Sequence, residues 1–447
     1  MVFIHLINNI NSINDYKLKA NFLSNYNSFL KFWGLEYKKI YEQKIINNKK
    51  RPIGPQFASI ILSDEIRPEW IEKNEKIPIF FPNIYENVSK GKILVEFFIN
   101  EKRMPAVVLE EDKIIFNFDP EETVRFLMLE KYFIRSRPFF TKLPIHPHYL
   151  PGVLRTAINN ALFFVKKKEK VEFPSWPIEK SVETIRWIFL RCFEIMNSKK
   201  IKPKFWPNNK KYAITLTHDV ETGEGFKRIK MLSDPEEKHG LFSCWNFLSN
   251  HYRMDYHKID ELIKNGHEIG SHGFNHDGKL PFLNKEKMEI RLDNCSGLIK
   301  KYNIKGFRSP FLLRTDEMFD AISKRFFYDL SIPDTERESQ VGMFNGCCTI
   351  FPFMINGMVE LPITLPQDSR LLSTGFKGEK ILDLWMKKLE WIKAVGGVAV
   401  LNTHPEKHLS GNKKMSEVYE KFLKKISIDD DAWIAKPYEI AEWWKQR

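Results

Sequence analysis

Apolar and polar positions change rhythm near residue 211. Beyond it, short apolar runs alternate with longer amphipathic stretches. The runs predict strands over 212–217, 241–247, 268–271, 306–311, 328–332, 358–363, 398–402 and 432–435. Between them, helices are predicted around 226–232, 258–264, 285–302, 316–326, 379–395 and 415–426. Strand and helix taking turns over ~230 residues predict a parallel, barrel-like α/β fold with its site at the strand carboxyl ends.

Upstream the pattern is different. Gly91–Asn100, Ala106–Leu109 and Ile114–Phe118 read as strands separated by charged turns. Asp119-Pro-Glu-Glu reads as a helix start, with Asp as cap, Pro at the first position and acids in the first turn. A helix is predicted over 178–197, where Val182, Ile185, Ile188, Phe189 and Cys192 share one face. These elements make a smaller α/β unit. Residues 1 to about 50 read as mixed strand and helix without assignable chemistry. Pro138, Pro144, Pro147 and Pro151 predict a loop over 136–156, with helices following. Residues 199–211 carry Pro203, Pro207 and six lysines, which marks a domain boundary. The expected division is an accessory α/β domain over 1–205, of unassigned function, and a catalytic domain over 211–447.

Composition narrows the class. A length of 447 residues suits two or three domains, and 43% hydrophobic with 28% charged residues is ordinary for a globular protein. No run of about 18 uncharged apolar residues occurs, so no membrane span is expected. The first residues read as a strand start, without a basic leader or a small-residue cleavage site. Five cysteines, an odd number without framework spacing, suit a reducing cytoplasm. The net charge of +13 divides into +11 up to Phe205 and +2 beyond it. No run reaches six like charges, so a solvated surface is the simpler reading and nucleic acid is not expected.

The polar residues that follow the strand runs form one set. His218, Asp219 and Glu221 follow the first run, and His272 and His276 the third. Arg308 follows the fourth, in Phe307-Arg-Ser-Pro-Phe311, Asp334 the fifth, and His404 the seventh, in Leu401-Asn-Thr-His404. In a barrel-like fold these points converge on one mouth. Two imidazoles four positions apart can face one ion, with a carboxylate as third ligand; this is a catalytic metal pattern. Such an ion lowers the pKa of a water to about 7 and polarises a carbonyl. A second carboxylate can take the water's proton, and an arginine beside it keeps it ionised. A further histidine can protonate a leaving amine or alcohol if an acid such as Asp334 holds its other nitrogen. The sum is metal-assisted hydrolysis of an amide or ester.

Each motif alone is weak. A single His-x3-His is usually a surface feature, and a lone histidine after a strand is more often structural. His267 precedes its strand, at the end remote from the site. His239, His251 and His257 fall in solvent-facing helix or loop text, and His146 and His148 in a proline-rich loop without acidic neighbours. Cys347 and Cys348 are adjacent in apolar text, which favours burial over metal binding. The joint order of the motifs carries the argument.

That order resembles the polysaccharide deacetylases with a NodB-homology domain, carbohydrate esterase family 4. The motifs are Thr217-His-Asp-Val, Ser271-His-Gly-Phe-Asn-His276, Arg308-Ser-Pro-Phe311, Asp334 and Leu401-Asn-Thr-His404. The resemblance covers about residues 211–447. It implies a distorted (β/α) barrel, a divalent metal that is often zinc, and removal of an acetyl group from an N-acetylated sugar of a polysaccharide or glycan precursor. It also implies roles. Asp219 matches the base, His272 and His276 the metal histidines, and Arg308 the tether of the base. Backbone N–H around Phe311 would hold the oxyanion, His404 would be the general acid, and Asp334 its orienting partner.

The first motif departs from the family's commonest form, which has a metal-binding Asp where Val220 stands. Glu221 would then supply the ligand from one residue further on. His218 is the alternative, and absence of metal the third. Three functions stay open: a metal-dependent deacetylase, a metal-independent amidohydrolase on the same barrel, and a non-catalytic carbohydrate-binding or assembly protein. The expected partner is a carbohydrate. Lysines of the first half would suit an anionic sugar, a lipid-linked glycan or a nucleotide-sugar.

Overall fold

The computed structural model describes residues 3–6, 31–33, 56–85, 90–111, 113–133, 137–142, 173–198, 200–336 and 346–447. Most of the first 50 residues, His146, His148 and the helices expected after the proline-rich loop lie outside them. The chain is mixed α/β and forms two compact units.

The first unit groups the described residues up to 133 with residues 173–205 and Cys347–Thr349. Its strands are β1 (Phe3–Leu6), β2 (Gln56–Leu62), β3 (Ile77–Phe81), β4 (Lys92–Ile99), β5 (Lys102–Glu110) and β6 (Lys113–Phe116). They form one sheet in the order β1-β6-β5-β4-β2-β3. All its pairings are antiparallel except β1 on β6. In β3 alternate residues Ile77, Ile79 and Phe81 are buried, as expected of a strand with one face on a core. Phe81, Phe97 and Phe118 meet edge to face there. The helix Pro120–Met128 starts as expected, with the Asp119 carboxylate accepting from Glu122 N–H at 2.9 Å. The helix expected from 178 begins at Ser181 and runs to Asn197; all five residues of its apolar face are buried.

The second unit carries β7 (Tyr212–Val220), β8 (Ser243–Phe247), β9 (Glu268–Ser271), β10 (Gly306–Phe307) and β11 (Tyr328–Asp329). It also carries β12 (Phe353–Ile355), β13 (Met358–Glu360), β14 (Val398–Thr403) and β15 (Ala432–Ile434). The order is β12-β13-β11-β10-β9-β8-β7-β14, with β15 also on β7. Every pairing is parallel except the β12–β13 hairpin. That hairpin turns at Asn356-Gly357, both with positive φ (50° and 82°), as a two-residue turn requires. Beyond β13 the backbone bonds in two directions. Ile363 N–H donates to Ile332 O at 2.9 Å, while Thr364 and Leu365 N–H donate to Val400 O in β14 at 3.2 and 3.0 Å. The sheet therefore curls, and this segment joins its far side to β14.

The differences from the sequence expectation have physical causes. β7 extends to Val220, because Thr217, His218 and Asp219 find buried partners and need no solvent. β10 is two residues long, because Pro310 supplies no N–H and the chain turns over Pro310–Leu312. The expected helix over 285–302 is split into Lys285–Asp293 and Ser296–Tyr302. Helices Asp368–Ser373 and Pro437–Gln446 were not expected. The boundary at 205 is crossed twice. Residues 137–142 belong to the second unit, where Phe140 packs on Phe311, and residues 347–349 to the first, where Thr349 Oγ1 donates to Glu183 at 2.7 Å.

A buried acid in the first unit makes stability pH-dependent. Glu179 is 1% exposed and accepts from Ser181 N–H at 2.7 Å. Burial raises its pKa to about 7 despite that bond. The folded protein therefore holds a proton that the unfolded chain releases near 4.5. This contribution is present below that value and is lost as pH rises to about 7. Glu179→Gln should flatten the fall in unfolding free energy over that interval, by about 1–3 kcal/mol in denaturant titrations.

Candidate active site

β7 is nine residues long and buried throughout, so alternate side chains meet opposite layers. His218 faces the helices. Its Nδ1 lies 2.8 Å from Thr403 Oγ1 and its Nε2 2.7 Å from Glu236 Oε1, with its ring 4.1 Å from that of Trp245. Both ring nitrogens are occupied, so His218 is not available as a metal ligand. Asp219 faces the opposite way. Its Oδ1 accepts from Arg308 Nη1 at 3.0 Å and Asn246 Nδ2 at 2.9 Å, and its Oδ2 from Asn402 Nδ2 at 2.8 Å. Gly270 in β9 leaves the space that the Asn246 side chain fills, since a Cβ there would overlap its Oδ1.

Glu221 lies just beyond β7. Its Oε1 stands 3.0 Å from His276 Nε2, and one ligand atom each of Glu221, His272 and His276 lie within 4.8 Å of one another. His272 Nδ1 donates to Arg308 O at 3.0 Å. A carbonyl only accepts, so Nδ1 holds the proton and Nε2 presents a lone pair. That Nε2 is buried without a hydrogen-bond partner. A carboxylate, two imidazoles and an orphaned buried lone pair fit a divalent cation, with zinc suited to the nitrogen donors.

His404 approaches the same point from β14. Its Nε2 is 3.8 Å from Asp219 Oδ2 and 3.7 Å from Glu221 Oε1. Its Nδ1 donates at 2.6 Å to Asp368 Oδ1, and its backbone N–H at 2.9 Å to Asp368 Oδ2. The orienting acid is therefore Asp368, not Asp334. Asp334 is 1% exposed and paired with Lys388 Nζ at 2.7 Å. Asp334, the expected acid, and Asp368, which was not expected, both follow apolar text; which one meets His404 depends on how the helix Asp368–Ser373 folds back over β14. Phe311 sits in the Pro310–Leu312 turn with φ 57°, its ring 4.2 Å from that of His276 and 5.2 Å from that of Phe140.

Among the other histidines, His267 is buried and accepts from Ser243 N–H at 3.1 Å, which makes it structural. His257 is exposed, while His239 and His251 are half-buried. Cys347 and Cys348 are buried and in no disulfide, as are the other three cysteines.

Charges sort the groups by role. Burial works against an ionised Asp219, but Arg308, then His272 and His404, hold it well below the usual carboxylate range. Burial likewise opposes ionised Glu221, and His276 overcomes it. Burial pushes the His272 pKa down to about 4, against the pull of Asp219, which keeps the imidazole neutral as a ligand must be. Burial also opposes charge on His404, yet Asp368, then Glu221 and Asp219, push its pKa up to about 10. The site thus pairs a fixed carboxylate with a protonated imidazole.

No family model matches the chain, and no curated protein is similar to it. Over 54–56% of its length the chain is similar to solved polysaccharide deacetylases. One, from Mycobacterium smegmatis and assigned as a polysaccharide deacetylase, is 20% identical over 56% of this chain and 95% of its own, with a TM-score of 0.44. The Puue allantoinase is 14% identical over 56% and 95%, with a TM-score of 0.42. The peptidoglycan deacetylase PdaC from Bacillus subtilis is 16% identical over 54% and 95%, with a TM-score of 0.35.

Sequence reasoning missed Asn246, Asn402 and Asp368. The first two carried a signal, since an amide inside an all-buried strand must be paired. Asp368 carried none. In metal-free protein, Asp368→Asn should bring the His404 pKa, followed by proton NMR, back towards 6.5, while Asp334→Asn leaves it in place. Lys388→Met, which removes the cation paired with the buried Asp334 carboxylate, should instead cost about 3–5 kcal/mol of stability.

Proposed function

We propose that the chain is a metal-dependent hydrolase that removes the acetyl group from an N-acetylated sugar of a polysaccharide or glycan precursor. In this reading residues 211–447 form a distorted (β/α) barrel of the NodB-homology type, and residues 1–205 an accessory domain. The observation that carries it is a carboxylate held by arginine, Asp219, 3.8 Å from a protonated His404 and beside the Glu221, His272 and His276 cluster.

The residues divide the work. Asp219, fixed by three buried donors, accepts the proton of the attacking water. Arg308 keeps that carboxylate ionised and aimed. His404, held by Asp368 and already protonated, gives its proton to the leaving amine nitrogen of the sugar. Backbone N–H around Phe311 supports the oxyanion. Glu221, His272 and His276 would hold the metal, which supplies Lewis acidity towards the water and the acyl oxygen. Five buried cysteines, none in a disulfide, support a reducing compartment, the cytoplasm. No helix among the described residues is long and apolar enough to cross a membrane.

The test is acetate release from a panel of N-acetylated sugars and oligosaccharides. Zinc-loaded protein should release acetate, a chelator should abolish release, and Asp219→Asn should slow it by at least about 10²-fold. Release that persists in chelator assigns a metal-independent amidohydrolase. Absence of release from the whole panel overturns the enzymatic reading and leaves a carbohydrate-binding protein.

A further inference from the structure

One buried carboxylate beside the site has no part in this chemistry. Glu406 lies two residues beyond His404 and is 2% exposed. Its Oε1 accepts from the backbone N–H of Glu221 at 3.0 Å, the backbone N–H of Thr222 at 3.0 Å and the Thr222 hydroxyl at 3.2 Å. These donors belong to the turn where β7 ends. Thr222 also caps the helix Gly223–Lys227, its Oγ1 accepting from Gly225 N–H at 3.0 Å. Any Cβ at position 225 would overlap Glu406 Oε1, so the glycine keeps the space the carboxylate fills.

The anchor is itself held. Glu406 O accepts from Leu409 and Gly411 N–H at 2.8 and 3.0 Å. Ser410 N–H donates to His404 O at 3.0 Å, and Ser410 Oγ to Asp368 Oδ2 at 2.6 Å. One loop thus carries His404 and grips the turn that presents Glu221. A second anion this near Glu221 is unfavourable on electrostatic grounds, and Glu406 Oε2 is buried without a hydrogen-bond partner. Retaining a carboxylate there needs a return, and its hydrogen bonds through Oε1 go to the Glu221–Thr222 turn.

We infer that Glu406 is a positioning residue: it fixes the backbone at Glu221, and so sets the metal-binding carboxylate against His276 and His404. The inference rests on the metal-dependent reading. Peptide units are planar, so anchoring two successive N–H groups restrains the backbone rotations that would swing Glu221 away. Groups that orient metal ligands in this way are commonly worth 10–100-fold in affinity.

The test uses the full chain as wild type, Glu406→Ala, Glu406→Gln and Glu406→Asp. Zinc affinity is measured against a competing chelator, and amide exchange at Glu221 and Thr222 is followed in metal-free protein. Glu406→Ala should weaken zinc by about 10–100-fold and speed exchange at both amides, and Glu406→Asp, charged but one methylene short, should do the same. Glu406→Gln retains an acceptor oxygen and should stay within about threefold of wild type. Wild-type affinity in the alanine variant, or equal loss in Gln and Ala, overturns the inference. If Glu406→Ala does not fold, the Asp and Gln variants make the comparison. If wild type binds no zinc, the functional reading fails, and the exchange rates alone decide whether Glu406 holds the turn.

Discussion

Arg308 places a guanidinium among the ends of several strands, where an unpaired charge would be prohibitive. Its Nη1 donates to Thr217 at 2.9 Å, Asp219 at 3.0 Å and Asn402 at 2.5 Å, and its Nε to Leu330 O at 3.0 Å. Its own carbonyl takes the proton of His272 Nδ1. One residue after β10 therefore ties β7 to β14, keeps Asp219 ionised and fixes the tautomer of His272. A lysine could carry the charge but not this fan of bonds.

Strand register makes that possible. In the parallel pairing of β14 with β7, Asn402 lies opposite Thr217 and Thr403 opposite His218. Thr217 and Asn402 meet Arg308, while His218 and Thr403 meet each other on the helix side. There Glu236 gathers His218, Ser243 and Tyr419 in a buried polar cluster. A slip of one residue would exchange the two sets and lose both. The polar residues of β7 are thus divided between the Arg308 network and the clamp that holds the strand in place.

Much of this was legible before folding. Apolar runs ending in His, Asp or Arg reported strands that deliver polar groups to one end, and the 3.6-residue pattern over 379–395 reproduced its helix. The spacing of His272 and His276 foretold their proximity, because a short turn leaves few ways to separate them. The chain also signalled what was overlooked. Asn356-Gly357 is a hairpin turn by composition, and the amides of Asn246 and Asn402 stand out within apolar strands.

Local sequence determined where strands begin, which face each residue takes, and which side chains could reach a common end, because these depend on backbone period and on neighbours a few positions away. Partner choice was decided only in three dimensions. Asp334 and Asp368 are both acids after apolar text, yet one neutralises Lys388 and the other holds His404. His218 and Glu221 are both potential ligands near the end of β7, yet one is enclosed by Glu236 and Thr403 while the other reaches His276. Glu406 gains its position only when the loop after β14 closes on the turn after β7. These choices are set by contacts between residues far apart in the chain, whose energies do not exist until the sheet has curled.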